Sequence, residues 1–459
     1  MMPRTLAGFA GVCATLWLAG CSEKITAPST PSTPDIEAAT AEVAALAAEV
    51  RLLAANRGIT PMPAPAPVRR ELSLLGQALA FDKILSGNRD ISCMTCHLAG
   101  IATTDSRSVS IGQGATGLGP DRVHPQGKFV HRSAPPLFNL HVMTTLTWDG
   151  RIFLNPEGVV RSPNALNLAQ QAVLEFGALS ALPMFPVLSR PEMRADAGNE
   201  LALVSDAKPQ QTWRLVMRRL GAIPQYRTMF ESAYPGQSFD SMNFAHAGNA
   251  IGGWITAVFA FNNTPWDSFL AGNDDALTET QLRGAKAFLG TGRCARCHNG
   301  PALSDGRFHN VAVAQVGPGF GDGPDGRDDF GRMRKTLKLA DKYKFRTPPL
   351  RNVELTAPYG HDGAIVSLRA WVDHYSQSDV KLLAYDPGQL EPLLQGTLLP
   401  TASDILLTRD SRLATLVLKL QMVDDITEFL KALTDPAARD LARFVPTQVP
   451  SGLPVDHLP

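Results

Sequence analysis

The sequence predicts a mainly α-helical protein, built as two copies of one domain in tandem, with few or no strands and long loops. Two observations predict it. The pentad Cys93-Met94-Thr95-Cys96-His97 recurs as Cys294-Ala295-Arg296-Cys297-His298, 201 residues later (294 − 93). A helix-like stretch precedes each pentad, Leu72 to Asp82 and Gln281 to Phe288, with a mid-helix glycine (Gly76, Gly284) and then an aromatic (Phe81, Phe288). Glycine inside a helix costs about 1 kcal/mol against alanine. The usual compensation is close approach of a second helix. A repeat this long is no solenoid, so the chain reads as duplicated domains.

Cys-x-x-Cys-His is the attachment signature of c-type haem. The thiols form thioethers with the vinyl groups, and the adjacent imidazole binds the iron. Each repeat is therefore expected to be a cytochrome c-like domain, with Cys93, Cys96, His97 and Cys294, Cys297, His298 holding two c-type haems. The rival readings are redox or zinc C-x-x-C motifs; zinc requires further ligands at metal spacing, and no other cysteine is available. Six are present, and the two outside the pentads are Cys13, in an apolar N-terminal segment, and Cys21. Four thiols on haem and one on a lipid leave no disulfide in the mature chain. Lys+Arg and Asp+Glu are equal at 43 each, a balance that gives no indication of a nucleic-acid partner.

Taken in order, residues 1–20 read as an export signal: Arg4, an apolar core from Leu6 to Leu18, then Ala19-Gly20. Leu18-Ala19-Gly20-Cys21 resembles a lipobox, so Cys21 is the expected lipidation site of an outer-membrane-anchored periplasmic protein. Attachment of c-type haem outside the bacterial cytoplasm agrees with export. No later run approaches a membrane span, so the lipid is the only expected membrane contact. Residues 21–67 form a tether: Ser/Thr/Pro-rich chain, a spacer helix over 35–56 carrying Val43, Leu46, Val50 and Leu53, and a linker from Pro61 to Pro67. The first haem domain is expected over 68–272 and the second over 273–446. Apolar helical segments lie near Trp213–Leu220 and Phe244–Phe261, with an interdomain crossing from Pro265 to Gly272. Gly317 to Gly331 reads as a long loop. Leu413, Leu416, Leu420, Val423, Ile426, Phe429, Leu430 and Leu433 give an amphipathic closing helix or pair. Residues 447–459 form a Pro-rich tail that either frays or docks back.

From about residue 70 to 440 the chain resembles the bacterial dihaem cytochrome c peroxidase and MauG family. Besides the pentads, the resemblance is carried by Leu75-Gly76-Gln77-Ala78-Leu79, Ala134-Pro135-Pro136-Leu137-Phe138-Asn139, Trp148-Asp149-Gly150-Arg151 and Pro191-Glu192-Met193. Thr347-Pro348-Pro349-Leu350-Arg351-Asn352 and Thr356-Ala357-Pro358-Tyr359-Gly360-His361-Asp362-Gly363 complete it. The resemblance implies a peroxidatic haem in the first domain and an electron-transfer haem in the second, with His97 and His298 as proximal ligands. It implies that Trp148 relays electrons between them, the alternative being an ordinary core aromatic. Glu192 is then the acid–base residue for peroxide, since breaking the O–O bond requires a group that moves a proton between its oxygens. Pro186 matches the family's proline six residues earlier, whereas Leu182 stands where a Gln is expected.

Two further positions separate subfamilies. Fourteen residues after His361, where peroxidases carry a Met as sixth ligand of the second haem and MauG a Tyr, this chain has Tyr375. The alternative is a Tyr375 packed in the core, with Met333 or Met422 on the iron. After Ser110-Ile111-Gly112, where many peroxidases place a capping His, stands Gln113; His124 and His131 follow, either of which could cap the first haem, though both are expected at the surface, which would leave that haem open at rest, as in MauG. The resemblance also implies an interdomain Ca²⁺, for which Thr356 and Pro358 match carbonyl positions and Ser133 replaces an Asn. The expected function is reduction of hydrogen peroxide with electrons from a small redox protein, a cytochrome c or cupredoxin. The alternatives are MauG-like oxidation of aromatic residues on a protein substrate, or electron transfer without catalysis.

Overall fold

The computed structural model describes residues 33–458, with side chains from residue 40. The expected signal (1–20), Cys21 and nearly all of the Ser/Thr/Pro-rich tether lie outside the described residues. The chain falls into two units, Met1–Val43 and Ala44–Pro459. Of the first, only the opening turns of one helix are described.

Among the described residues, eight helices run for seven residues or more: α1 (Thr33–Ala55), α2 (Arg70–Phe81), α3 (Pro209–Gly221), α4 (Pro224–Ala233), α5 (Phe244–Val258), α6 (Glu279–Leu289), α7 (Leu368–His374) and α8 (Leu420–Lys431). The few strands are short. β1 (Thr145–Leu146), β2 (Ile152–Leu154) and β3 (Val160–Arg161) form an antiparallel meander, and β4 (Phe308–His309) pairs antiparallel with β5 (Phe345–Arg346). The mainly helical expectation holds.

Each repeat is organised on one helix crossing, and the glycines make it possible. A Cβ on Gly76 would lie 2.0 Å from the Ala250 carbonyl oxygen and 2.7 Å from Trp254 Cβ. A Cβ on Gly284 would lie 1.9 Å from the Asp425 carbonyl oxygen and 2.9 Å from Phe429 Cβ. Thus α2 presses on α5 as α6 presses on α8, backbone against backbone. The following aromatics seal each crossing: Phe81 meets Trp254 edge-on at 5.7 Å, and Phe288 meets Phe429 at 5.2 Å. In both repeats the partner aromatic lies four residues beyond the contacted carbonyl, so the duplication extends to individual side chains. α6 starts on a capping box, Thr278 and Gln281 each closing on the other's backbone N–H.

The spacer helix α1 does not stand free. From Ala47 onward it buries Val50 and Ala54, Arg51 Nε donates to the Phe269 carbonyl at 3.1 Å, and Glu49 pairs with Lys286 at 2.8 Å. The closing helix is shorter than its leucine spacing predicts. Residues 416–419 leave the helix because their backbone finds partners elsewhere: Gln377 N–H donates to the Leu416 carbonyl and Leu418 N–H to Ser376 Oγ, both at 2.9 Å. The C-terminal segment docks back. Phe444, Val445, Val449, Leu453 and Val455 pack on the first repeat's core, Ser451 Oγ donates to Asp82 at 2.6 Å, and Asp456 pairs with Lys83 at 2.6 Å and accepts from Thr95, inside the first pentad.

Candidate active site

The two pentads are built alike. Each starts a short helical turn, and the histidine N–H returns to the first cysteine's carbonyl, at 3.1 Å for His97 and 3.0 Å for His298. His97 Nδ1 donates to the Thr103 carbonyl at 3.1 Å and His298 Nδ1 to the Leu303 carbonyl at 2.9 Å. Thr103 and Leu303 both hold positive φ, 60° and 53°, which turns their carbonyls back. With Nδ1 committed as donor, Nε2 keeps its lone pair for a metal. Burial pushes both imidazoles below their usual range, His298 to about 4, so the ligating form is the neutral one. Burial also pushes the Cys93, Cys96 and Cys294 thiols up, Cys93 to about 11 and Cys294 to about 12. Thiolate chemistry or a zinc site needs the opposite shift; an apolar setting suits a haem's vinyl edge. All four pentad cysteines are free of disulfides.

Beside the second pentad lies a cavity with about 1620 Å³ of space free of protein atoms, its outer part open to solvent. Cys294, Cys297, His298, Trp148, Tyr375 and Arg346 are among its walls. Tyr375 leaves the end of α7 half-buried. Burial, and then the neighbouring Cys294 and Cys297, push its phenol well above the ordinary range. The chain has six tyrosines. Tyr226, Tyr234, Tyr343, Tyr359 and Tyr385 each donate their hydroxyl to a carboxylate or carbonyl. Tyr375 alone makes no such bond among the described residues, and it faces the cavity. Met333 and Met422 are not among the lining residues.

His309 also lines this cavity. Its Nε2 bonds Asp305 at 3.0 Å and its Nδ1 bonds Asp410 at 2.6 Å. Although burial opposes the charge, Asp305, then the Cys297 sulfur and then Asp410 hold the imidazolium well above its usual range. With both nitrogens engaged, His309 is a fixed cation and not a ligand. Neither His309 nor Arg346 was marked by the sequence reasoning; the one available signal is that Arg346 immediately precedes the Thr347–Asn352 motif.

Trp148 lies in the β1–β2 turn, half-buried on the wall of the same cavity. Its indole N–H donates to the Ser133 carbonyl at 3.2 Å. Its carbonyl accepts from Arg346 N–H on β5 at 2.8 Å. Gly150, φ 65°, closes the turn where a Cβ would strike Phe308 at 2.2 Å. Next to it, Arg132 pairs with Asp149 at 3.0 Å and with Asp329 at 2.6 Å, all three buried. This cluster joins residues of the first repeat to the Gly317–Gly331 loop of the second. Ser133, Thr356 and Pro358, the residues implied for calcium, all border the cavity.

Glu192 is half-buried on a wide turn, in which Arg194 N–H reaches the Ser189 carbonyl and Ala195 N–H the Arg190 carbonyl. Such i to i+5 turns concentrate at functional sites. The Ser110–Gln113 segment lies directly on it: Gln113 N–H donates to the Glu192 carbonyl at 3.0 Å, and a Cβ on Gly112 would lie 1.8 Å from the Pro191 carbonyl oxygen. That seating brings Glu192 near Cys96, whose thiol it helps hold protonated after burial and Asp105. Pro186 stands in the adjoining turn, Pro186–Leu188, which packs on the Glu192 turn. Leu182 is half-buried against the first core. The Gln113 side chain accepts from Asn88 at 3.3 Å, away from the pentad. The expected surface placement of the two histidines is corrected. His124 is buried, and His131 is half-buried, with Nδ1 donating to the Gly319 carbonyl at 2.6 Å and its ring 4.4 Å from that of Phe320. The glycine loop supplies both the acceptor and the ring, which a reading of local polarity misses.

Comparison with known proteins agrees with this geometry. The di-haem cytochrome c peroxidase family model matches residues 70–275. The chain is 31% identical to the cytochrome c551 peroxidase of Pseudomonas aeruginosa over 307 residues, 66% of this chain and 71% of that one. It is 27% identical to the methylamine utilization protein MauG of Methylorubrum extorquens, covering 70% of this chain and 73% of that one. A solved MauG-like protein associated with microbial copper homeostasis superposes with TM-score 0.58 at 27% identity, covering 83% of this chain and 96% of that one. The chain belongs to the di-haem cytochrome c peroxidase family. The pentads, the oriented imidazoles, the cavity and the unspent Tyr375 hydroxyl fit the two c-type haems of that family.

Proposed function

We propose that the protein reduces hydrogen peroxide to two waters, with two electrons from a small cytochrome c or cupredoxin and two protons. When attached, the haems supply the iron at which peroxide reacts and the path by which electrons arrive. The chain's own residues do the rest. His97 and His298 present neutral Nε2 atoms. Glu192 takes a proton from one peroxide oxygen and returns it to the departing one. Trp148 spans the wall between the repeats, where an aromatic ring shortens the electron path. Tyr375 would offer its phenol oxygen to the iron of the second haem. Calcium at Ser133, Thr356 and Pro358 would stiffen the junction between the repeats.

The observation that carries this reading is that the Ser110–Gln113 segment joins Glu192 on its wide turn to the first pentad, Gln113 N–H bonding the Glu192 carbonyl and the Ile111 carbonyl accepting from Cys96 Sγ at 3.9 Å, with the Gln113 side chain committed to Asn88. The test is steady-state peroxide turnover with a reduced donor. Glu192→Gln should lose about 10²- to 10⁴-fold in kcat while both haems stay attached by mass. Unchanged turnover removes Glu192 from the mechanism.

Tyr375 favours a second reading, MauG-like oxidation of aromatic side chains on a protein substrate. An oxygen ligand is harder than a thioether and stabilises ferric and higher-valent iron. Mass analysis of candidate partner proteins after peroxide treatment separates the two readings: covalent change in a partner supports the second, and simple donor oxidation the first. Export to the periplasm and lipidation at Cys21 complete the proposal. Cys21→Ala should release the protein from the membrane fraction; retention there excludes that anchor.

A further inference from the structure

Seven arginines are buried among the described residues, and five of them pair with a carboxylate: Arg107 with Glu391, Arg132 with Asp149 and Asp329, Arg194 with Asp206, Arg219 with Glu200, Arg351 with Asp267. Arg122 divides its guanidinium among the Ile111, Gly112 and Gly117 carbonyls. Arg346 is different. It is 5% exposed; Nε donates to the Thr147 carbonyl at 3.1 Å, Nη1 to the Thr347 carbonyl at 3.2 Å, and Nη2 to nothing described. It meets no carboxylate, and burial alone pushes it down to about 10, so it is still charged at neutral pH. A buried, unpaired cation is costly. This one lines the second haem cavity.

We propose that Arg346 binds a propionate of the second haem and, through the β1–β2 turn, ties that haem to Trp148. A carboxylate in the cavity would meet a planar fork already held in place by two carbonyls. The position suits that edge of the macrocycle. The cation at the thioether edge is Arg412, 3.3 Å from Cys297 Sγ, whereas Arg346 contacts neither thiol. Propionates lie opposite the vinyl groups, so the two arginines would flank opposite edges. The same residue holds the Trp148 turn twice, by its backbone N–H to Trp148 and by Nε to Thr147. This inference rests on attachment of the second haem at Cys294 and Cys297.

The test uses the full dihaem protein, with attachment counted by mass, potentials by spectroelectrochemistry and propionate bending bands by resonance Raman. Removing a positive charge near the iron favours the ferric state. Arg346→Met should shift the second haem's reduction equilibrium against reduction about tenfold, which for one electron is about 59 mV. Its propionate bands should move and the first haem's potential should stay. Arg346→Lys keeps the charge but not the fork, so its potential should stay near wild type while the bands still move. A doubly loaded Arg346→Met protein with wild-type potential and bands overturns the proposal. Where Arg346→Met fails to retain the second haem, unmoved bands in Arg346→Lys overturn it. A wild-type protein lacking the second haem defeats the attachment reading and this inference with it, whereas a loaded protein with unmoved potential and bands defeats this inference alone.

Discussion

Tyr375 concentrates the chemistry that distinguishes this chain. Its hydroxyl is the one tyrosine oxygen left without a hydrogen bond among the described residues, and it faces the cavity beside Cys294 and Cys297. A hydroxyl that faces the cavity with no protein partner is free to meet a metal there. Tyr375→Met should raise the second haem's reduction potential, because a thioether stabilises ferrous iron better than an oxygen ligand does. It should also add a thioether-to-iron absorption band absent from wild type. An unchanged potential and spectrum would place Tyr375 outside the coordination sphere. Residues of this kind were legible in the sequence only where a fixed spacing exposed them. The pentads were legible from two residue types at three fixed positions. Tyr375 and Glu192 needed the family pattern. His309 gave no signal and Arg346 only its place before the Thr347–Asn352 motif, since an isolated cation in a sequence reads as a surface charge, and only the fold shows which carboxylates it meets or lacks.

The helix crossings are the elements that position each pentad. Two opposing effects act on Gly284: alanine gains about 1 kcal/mol of helix propensity, but its Cβ would sit 1.9 Å from the Asp425 carbonyl oxygen. The neighbour is backbone and cannot swing away, so the clash wins. Gly284→Ala should destabilise the protein by about 1–3 kcal/mol or more, and Gly76→Ala likewise at its crossing with α5. Gly396, where an added Cβ would meet nothing within 4 Å, is the control, and Gly396→Ala should leave stability within about 0.5 kcal/mol. Denaturant midpoints of the dihaem protein check all three. These crossings were legible, because a glycine repeated at the same place before each pentad marks close approach. The non-helical run 416–419 was not, because leucine spacing cannot register that residues 376–377 offer its backbone partners.

Across the whole molecule, the Arg132–Asp149–Asp329 cluster joins the two repeats next to Trp148. Although burial pushes both carboxyls up, Arg132 pulls Asp149 and Asp329 below the usual carboxylate range. A depressed folded-state value contributes stability that is present above the unfolded value, about pH 4, and is lost as pH falls through the folded one. Wild-type stability should therefore drop on acidification below about pH 4. Arg132→Met leaves Asp329 without its ion-pair partner and Asp149 with only Arg151, at 3.8 Å, costs about 3–5 kcal/mol at pH 7, and should reverse the slope, the variant gaining stability as it is acidified toward pH 4. Urea midpoints across that range decide it; a parallel profile for the two proteins contradicts the assigned pairing. The C-terminal docking on the first repeat was open in the sequence, since a Pro-rich tail shows no periodicity to commit. The measurement that bears most directly on the account is the electron paramagnetic resonance spectrum of the ferric protein before and after addition of hydrogen peroxide. One high-spin and one low-spin haem, with the high-spin signal consumed by peroxide, is the predicted result. Two low-spin haems indifferent to peroxide would contradict it and leave a protein that only carries electrons.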